Sequence, residues 1–353
     1  MSGTDRPDNP EPTIQELART AGVSVEIASQ VLSGSTRVSV EARLAVERAA
    51  QQLGCEAERL PKVSLARTSQ CVAVVIAEST TKLFVDAFFA PLLAGISEAL
   101  IEQSMLMSML TSHAVRERQL AREYLIGGHV DGVILVSLHG DDPLPGELAE
   151  ANVPFVFCGR PPKRVRAGFV DCDNRSAGGI AVNHLLSLGR KTIAIISGNL
   201  DMPSAMDRLM GYRDAMAEAG FKLDPTLEEV ADYQPDRAHM AMERLLLNHP
   251  DVDAVFAGSD DMAIAAMQVL QLAGKRVPED VAVVGFDDSK QARLCRPSLS
   301  SIRQPITEMG RETVAVLMRQ MANPEDAPRQ VVFSAEVVIR ESTAGAAAPG
   351  VLS

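Results

Sequence analysis

No apolar run in this chain reaches membrane-spanning length. The start, MSGTDRPDNPEP, is polar and acidic where a secretory signal would be basic and then apolar. The expected compartment is therefore the cytoplasm, with no membrane partner. Cys55, Cys71, Cys158, Cys172 and Cys295 are odd in number, scattered and without a CxxC pair, so neither a disulfide framework nor a zinc site is indicated. Six histidines (His113, His129, His139, His184, His239, His249) show no metal-ligand spacing, so no metal is expected. The chain has no GxSxG, no HExxH and no Walker loop, and Gly127-Gly128 and Gly178-Gly179 lack the phosphate-loop context. No catalytic residue, cofactor or enzymatic activity is expected. An excess of positive charge is also missing: the net charge of −12 argues against nonspecific coating of nucleic acid.

At 353 residues, 46% hydrophobic and 23% charged, the chain suits two or three globular units. Residues 1–12 read as a disordered tail. From Thr13 to Ser33, Ile14, Leu17, Ala18 and Ala21 recur at helical spacing, and so do Ala28, Val31 and Leu32. Gly22 between them supplies the backbone freedom of a sharp turn, and Ser24 stands where a second helix needs its cap. This pattern reads as a helix-turn-helix, against the plainer alternative of two core helices in some α domain. Ser39 can cap a third helix with Ala42, Val46, Ala49, Ala50 and Leu53 on its apolar face, ending at Gly54. Between Thr13 and Thr68, seven bases (Arg19, Arg37, Arg43, Arg48, Arg59, Lys62, Arg67) meet six acids (Glu16, Glu26, Glu41, Glu47, Glu56, Glu58), a balance of +1.

From Cys71 the pattern becomes α/β. CVAVVIA suits a strand buried on both faces. Met105 to Leu110, Val130 to Val136 and Val153 to Phe157 continue a first series of apolar runs, with a helix over Ala90 to Gln103. A second series comprises Thr192 to Ile196, Ala254 to Ala257 and Val281 to Phe286. Helical segments Ser176 to Leu188, Leu209 to Ala219, Ala238 to Asn248 and Met262 to Ala273 alternate with these strands. Alternation of this kind predicts parallel sheets, and two series predict two doubly wound lobes.

The headpiece residues Thr13-Ile14, Ala18, Ala21-Gly22-Val23-Ser24, Ser29, Val31-Leu32, Gly34, Val38-Ser39, Arg43 and Leu53-Gly54 give the chain its resemblance to the lactose-repressor (LacI/GalR) family of bacterial transcription regulators. The resemblance continues through Phe88-Phe89, Val130-Asp131-Gly132, Val170-Asp171 to Asn174, Ser187-Leu188-Gly189, Arg208 with Gly211-Tyr212, and Val277 to Val281. It ends with Gly285-Phe286-Asp287-Asp288, Arg303-Gln304-Pro305 and Arg340-Glu341-Ser342. It implies an N-terminal all-α helix-turn-helix headpiece followed by a periplasmic-binding-protein-like α/β core of two doubly wound parallel-sheet lobes. The expected divisions are a helix-turn-helix domain over 13–58, a hinge over 59–70, an effector-binding and dimerisation core over 71–341, and a flexible tail over 342–353. That tail carries no leucine heptads, so a homodimer is the expected state.

The resemblance also implies roles for particular residues. Base contacts fall to Val25 (a thymine methyl), Glu26 (cytosine) and Gln30 (adenine) of the second helix. Thr13, Ser24 and Ser29 become phosphate contacts. For Glu26 the competing reading is a solvated first-turn carboxylate favoured by the helix dipole. The hinge departs from the family pattern, with Pro61 in it and Ser64 at the position of the wedging leucine. Either Leu65 acts as a re-registered minor-groove wedge, or this hinge bends DNA less.

In the core, Phe88 and Phe89 either stack on a sugar or base or pack into the following helix. Ser204 and Arg208 open a helix where an arginine fork can grip hydroxyls or a carboxylate; the alternative is a surface arginine paired with Asp207 or Asp214. Tyr233 is an aromatic cleft residue or an ordinary turn residue. Asp260 follows a strand at its carboxyl end, where open α/β sheets bind ligands. It either accepts from ligand hydroxyls or caps the next helix, a task open to Asp261. His139 and Arg160 also follow strand ends.

The function implied is a repressor that binds a palindromic double-stranded operator and is switched by a sugar or sugar acid held between the lobes. Closing of the lobes would change the separation of the two headpieces. The alternatives are a regulator fold with weakened DNA binding, suggested by Pro61, Ser64 and the near-neutral headpiece, and a cytoplasmic solute-binding protein.

Overall fold

The computed structural model describes residues 13–32, 38, 40–53, 70–140, 142–162 and 165–344. Its contacts divide the chain into two compact units, Met1–Thr68 and Ser69–Ser353. Leu65, Pro61, Ser64 and Ser39 lie outside the described residues, as do the segments 1–12 and 345–353.

The first unit holds three helices, α1 (Ile14–Ala21), α2 (Val25–Leu32) and α3 (Val40–Gln52). Local chemistry sets each boundary. Thr13 Oγ1 accepts from the Glu16 amide at 3.3 Å while Glu16 Oε2 accepts from the Thr13 amide at 3.0 Å, a reciprocal capping box. Gly22 ends α1 in the left-handed region at φ 67°, where a β-carbon would be strained. Ser24 Oγ then accepts from the Ile27 amide at 3.2 Å and starts α2. Ile14, Leu17, Ala18, Ala28, Val46, Ala49 and Ala50 form the shared core.

The second unit consists of two lobes. Strands β1 (Cys71–Ile76), β2 (Leu106–Thr111), β3 (Gly132–Val136), β4 (Phe155–Cys158) and β5 (Gly168–Cys172) alternate with α4 (Thr80–Val85), α5 (Phe89–Glu102), α6 (Val115–Ile126) and α7 (Leu144–Glu150). The chain then crosses to the second lobe. There β6 (Ile193–Ser197), β7 (Glu228–Val230), β8 (Ala254–Ala257), β9 (Ala282–Phe286) and β10 (Ser300–Arg303) alternate with α8 (Asn174–Ser187), α9 (Pro203–Glu218), α10 (Pro235–Asn248), α11 (Asp260–Leu272) and α12 (Lys290–Leu294). It crosses back for α13 (Ile306–Ala322) and β11 (Gln330–Phe333), then returns for β12 (Glu336–Val338) and α14 (Glu341–Ala344). Three short crossings thus join the lobes.

The first sheet has the order β11-β5-β4-β3-β1-β2 and is parallel throughout. Apolar residues cover both of its faces: Val72, Val74 and Ile76 face one core, Ala73 and Val75 the other. The second sheet, β12-β10-β9-β8-β6-β7, is parallel except where β12 pairs antiparallel with β10. The two parallel-sheet lobes expected are present, with β12 as one antiparallel edge strand. β12 lies only two residues beyond β11 and enters the other lobe directly, without a crossover helix to reverse its direction.

Two expectations change. Helices α9 and α10 begin earlier than the apolar periodicity suggests, at Pro203 and Pro235, because proline fits a first helical position. Ser342 and Thr343, which the sequence reading puts in a flexible tail, are instead buried. Ser342 Oγ donates to the Val283 carbonyl at 2.6 Å and accepts from the Ser300 amide at 2.8 Å. Among the described residues, no helix is long and apolar enough to cross a membrane, and no group of three or more His, Cys, Asp or Glu residues could hold a metal ion.

Helices α8 and α9 approach closely because glycine stands at the contact: a β-carbon on Gly211 would collide with the Arg175 carbonyl. The adjacent Tyr212 is buried and donates to the Ile193 carbonyl at 2.8 Å. Gly211→Ala should therefore destabilise the core by about 1–3 kcal/mol, the cost of overpacking, read from the midpoint of denaturant unfolding. An unshifted midpoint would mean that the two helices separate freely.

Candidate functional site

The carboxyl ends of the strands in both lobes face one another across a cleft. The first lobe contributes Glu78 and Lys82 after β1, Ser137 after β3, Gly159 and Arg160 after β4, and Asp171 near the end of β5. The second contributes Ser204 and Arg208 of α9, Tyr233 after β7, Ser259 after β8 and Asp287 after β9. Together they enclose a chamber of about 100 Å³. Parallel sheets gather polar groups at this edge because each strand leads there into the loop before its helix. Ser137, Tyr233 and Asp287 have left-handed backbones, with φ of 54°, 56° and 107°. Strain of this kind in non-glycine residues concentrates at functional sites.

Charged contacts cross the cleft. His139 Nε2 lies 3.3 Å from Glu78 Oε1 of its own lobe, and Nδ1 lies 2.9 Å from Asp201 Oδ1 of the other. Carboxylates at both ring nitrogens favour the imidazolium, which donates at both. The hydrogen bond to Glu78 is the main cause lifting the His139 pKa to about 9, against the cost of burial. Burial opposes ionisation of Glu78, but His139 and Lys82 (2.7 Å away) outweigh it and hold its pKa below the usual range. Arg160 repeats the arrangement, 3.5 Å from Asp171 of its own lobe and 3.6 Å from Asp207 of the other.

Arg208 is buried, with its guanidinium carbon 3.5 Å from the centre of the Phe286 ring. Its Nε donates to Asn174 Oδ1 at 2.8 Å and Nη1 to the Gly258 carbonyl at 2.5 Å. The surface pairings considered for it do not form: Asp207 pairs with Arg160, and Asp214 pairs with Arg175 at 2.6 Å. Asn174 in turn donates to Asp171 Oδ1 at 3.1 Å. Asp171 Oδ2 is buried without a hydrogen-bond donor, and burial pushes this carboxyl up to about 6 although Arg160 pulls the other way. Burial also raises Asp287 well above the carboxylate range, with Asp260 and Asp86 nearby adding to the shift.

Asp260 is the clearest correction. It is 1% exposed and does not line the chamber. Its Oδ2 accepts from the Ser289 amide at 2.6 Å and Oδ1 from Ser301 Oγ at 2.6 Å, so it ties the start of α11 to β10 and to the cap of α12. Nor does either aspartate cap α11; Ser259 Oγ does, accepting from the Met262 amide at 3.3 Å. Phe88 and Phe89 both line the chamber, edge-on to each other at 5.5 Å; Phe89 is 2% exposed and belongs to the first-lobe core, and Phe88 is half-buried against it. Tyr233 lies in the cleft with its hydroxyl oxygen buried and unpartnered. Ser204, Arg160 and Arg208 line the chamber, and His139 lines the wider mouth outside it.

Sequence reasoning missed Glu78, Lys82, Asp86, Ser137, Asn174, Ser259, Asp287 and Gln304 as cleft residues. Asp287 carried the same strand-end signal that singled out Asp260, and Asp171 and Asn174 stood within a noted motif.

In the first unit, Val25, Glu26, Ser29 and Gln30 share one side of α2 at spacings of one and four residues. Glu26 is exposed and Ser29 and Gln30 are half-buried, while Val25 packs partly into the headpiece core. Thr13 and Ser24 are exposed residues whose hydroxyls already serve as helix caps.

Residues 13–55 match the model for bacterial regulatory proteins of the lacI family, and residues 182–343 match a periplasmic binding protein-like domain. The chain is 41% identical over 334 residues to the HTH-type transcriptional regulator CelR of Thermobifida fusca, covering 94% of this chain and 98% of that one. It is 30% identical over 332 residues to the HTH-type transcriptional regulator AscG of Escherichia coli K12, at 94% and 98% coverage. A solved CelR–cellobiose complex superposes with a TM-score of 0.75 at 41% identity, covering 94% of this chain and 99% of that one.

Bridging of His139 gives a pH prediction. Its pKa is raised above the ordinary value, so its contribution to holding the lobes together is full below pH 6.5 and lost as pH rises through about 9. A ring-proton NMR titration of His139 should show a midpoint near 9, falling in Asp201→Asn. A midpoint at the ordinary 6.5 would contradict the bridge.

Proposed function

The chain belongs to the lacI family of bacterial regulatory proteins, and from that membership we propose a repressor whose operator affinity is set by a neutral sugar in the cleft. The observation that carries the effector half is a pair of buried atoms without a hydrogen bond, Asp171 Oδ2 (whose charge partner, Arg160 Nε, stands off at 3.5 Å) and Tyr233 Oη, brought to one chamber from opposite lobes. A buried polar atom without a partner costs free energy, and a ligand hydroxyl removes that cost at each. A sugar bound to both ties the lobes together, so binding favours the closed form over any more open one.

Charge selects a neutral sugar over a sugar acid. Arg160 is held between two carboxylates, and Glu78, Asp86, Asp171 and Asp287 line the same chamber. An anionic ligand would meet the carboxylates of Glu78 and Asp171, with Lys82 and Arg160 already paired to carboxylates and Arg208 held by the neutral oxygens of Asn174 and Gly258. Carboxylates suit hydroxyl donors instead. The relative solved with cellobiose makes that disaccharide the first to test here.

For DNA, Glu26, Ser29 and Gln30 of α2 are the reading residues, Thr13 and Ser24 position the helix on phosphates, and Leu65 is the wedge. Val25 divides its surface between the headpiece core and a thymine methyl. The protein acts in the cytoplasm as a homodimer on a palindromic site, because two-fold protein symmetry matches two-fold operator symmetry. It regulates and does not catalyse.

Operator fragments selected from genomic DNA should be retarded by the pure protein and released by cellobiose. Asp171→Asn should weaken the sugar about 10- to 100-fold, the scale of a lost charged hydrogen bond, while operator affinity holds. Gln30→Ala should cost about 1–3 kcal/mol of discrimination at one base pair. Failure to retard any palindrome at low salt would favour the weakened-DNA-binding alternative, and release insensitive to every neutral sugar would remove the effector assignment.

A further inference from the structure

A separate groove of about 550 Å³ lies beside the crossing from β10 to α13. Lys290, Arg293 and Arg303 of the second lobe line one part of it, and the starts of α5 and α13 in the first lobe line the other. Asp287 and Gln304 line both this groove and the chamber, and Gln304 Nε2 donates to Asp287 Oδ1 at 2.6 Å. One pair of side chains is thus the wall between the two spaces.

Cations outnumber anions in the groove. Asp288 is a single buried carboxylate, yet Arg293 Nη2 at 2.9 Å, Arg303 Nε at 2.7 Å and Arg340 all donate to it. One negative charge among three guanidiniums leaves two positive charges over. Glu336 answers one of them, accepting from Arg303 Nη1 at 2.9 Å. Donors are left over as well: among the described residues, Nε and Nη1 of Arg293 and Nη2 of Arg303 have no acceptor. Lys290 is exposed and makes no ion pair among the described residues. Against these cations stands Glu308, exposed and lining the same groove. Asp287 opposes them weakly, because burial raises its pKa well above the carboxylate range. The start of α13 has no side-chain cap, so its positive end adds to the cations and does not cancel them.

We propose that this groove binds a small phosphate monoester at a site separate from the sugar chamber, with Lys290, Arg293 and Arg303 as its contacts. A phosphate monoester carries a charge of about −1.5 to −2 and three acceptor oxygens. That charge answers the cations left over, and the oxygens take up the idle guanidinium donors, which suit phosphate geometry. The rest of the groove holds the organic part against Ala87, Ala90 and Pro91. A neutral ligand would leave the same donors and charges unanswered. The site does not depend on the sugar reading of the chamber.

Calorimetric titration of the full-length protein with glycerol 3-phosphate, beside glycerol as the uncharged control, tests this. The parent should bind the phosphate ester and not glycerol, with an affinity that falls as salt is added. Lys290→Gln and Arg293→Gln should each weaken binding about three- to fivefold, the scale of one exposed ion pair. Glu308→Gln should tighten it about two- to threefold by removing the like charge, a gain that damage to the fold does not produce. All three side chains are exposed, and an unchanged unfolding midpoint checks that each variant is folded. Equal binding of glycerol, no binding of the ester, or an affinity that none of the three substitutions moves would overturn the site. The last result would place the anion elsewhere on the chain.

Discussion

Each lobe of the core ends its strands in carboxylates, and two cations of the first lobe share them across the cleft. His139 lies between Glu78 and Asp201, and Arg160 between Asp171 and Asp207. Everything else about the cleft depends on this sharing. Without the cations, the facing acidic edges would repel and leave several carboxylates buried and unpaired, a costly arrangement. With them, the acidic edges can face one another across the cleft. A ligand that bridges the same edges can shift a conformational equilibrium only by its differential affinity for the two states.

The second lobe adds a rigid frame behind its own part of the site. Asp288 is buried and receives Arg293, Arg303 and Arg340, which outweigh the burial that opposes its ionisation and hold its pKa below the usual range. Its neighbour Asp287 lines the chamber, and both have left-handed backbones. Asp260, strapped to Ser289 and Ser301, braces the same turn from beneath. The C-terminal segment closes this frame through Arg340 and Ser342. A strained turn held by many partners keeps its geometry while the lobes move.

Much of this was legible in the residues themselves. Gly22 and Ser24 were assigned tasks at helix boundaries and each performs its own, so much of the headpiece could be read from them; the capping box of Thr13, a residue expected only as a phosphate contact, could not. The apolar runs at 72–76 and 193–196 announce strands covered on both faces. Which aspartate turns into the cleft was not legible. Asp260 and Asp287 both follow strands, and the choice between them is made by backbone φ at Asp287 and by partners about thirty or more residues distant in sequence from Asp260. Nor could periodicity reveal the cross-lobe pairs, because Glu78, His139 and Asp201 are brought together only by the packing of two sheets. Strand β12 escaped for a related reason: three residues at a sheet edge carry too short a pattern to read.

One free energy links the proposed sugar site in the cleft to the proposed DNA-reading helix, and thermodynamic linkage makes it measurable from either side. Sugar affinity should be measured by calorimetry on the free protein and on the operator-bound protein, beside operator affinity with and without saturating sugar. The account predicts that both ratios equal the same factor, with a coupling of about 1–3 kcal/mol. A sugar affinity identical in the presence and absence of operator would contradict it.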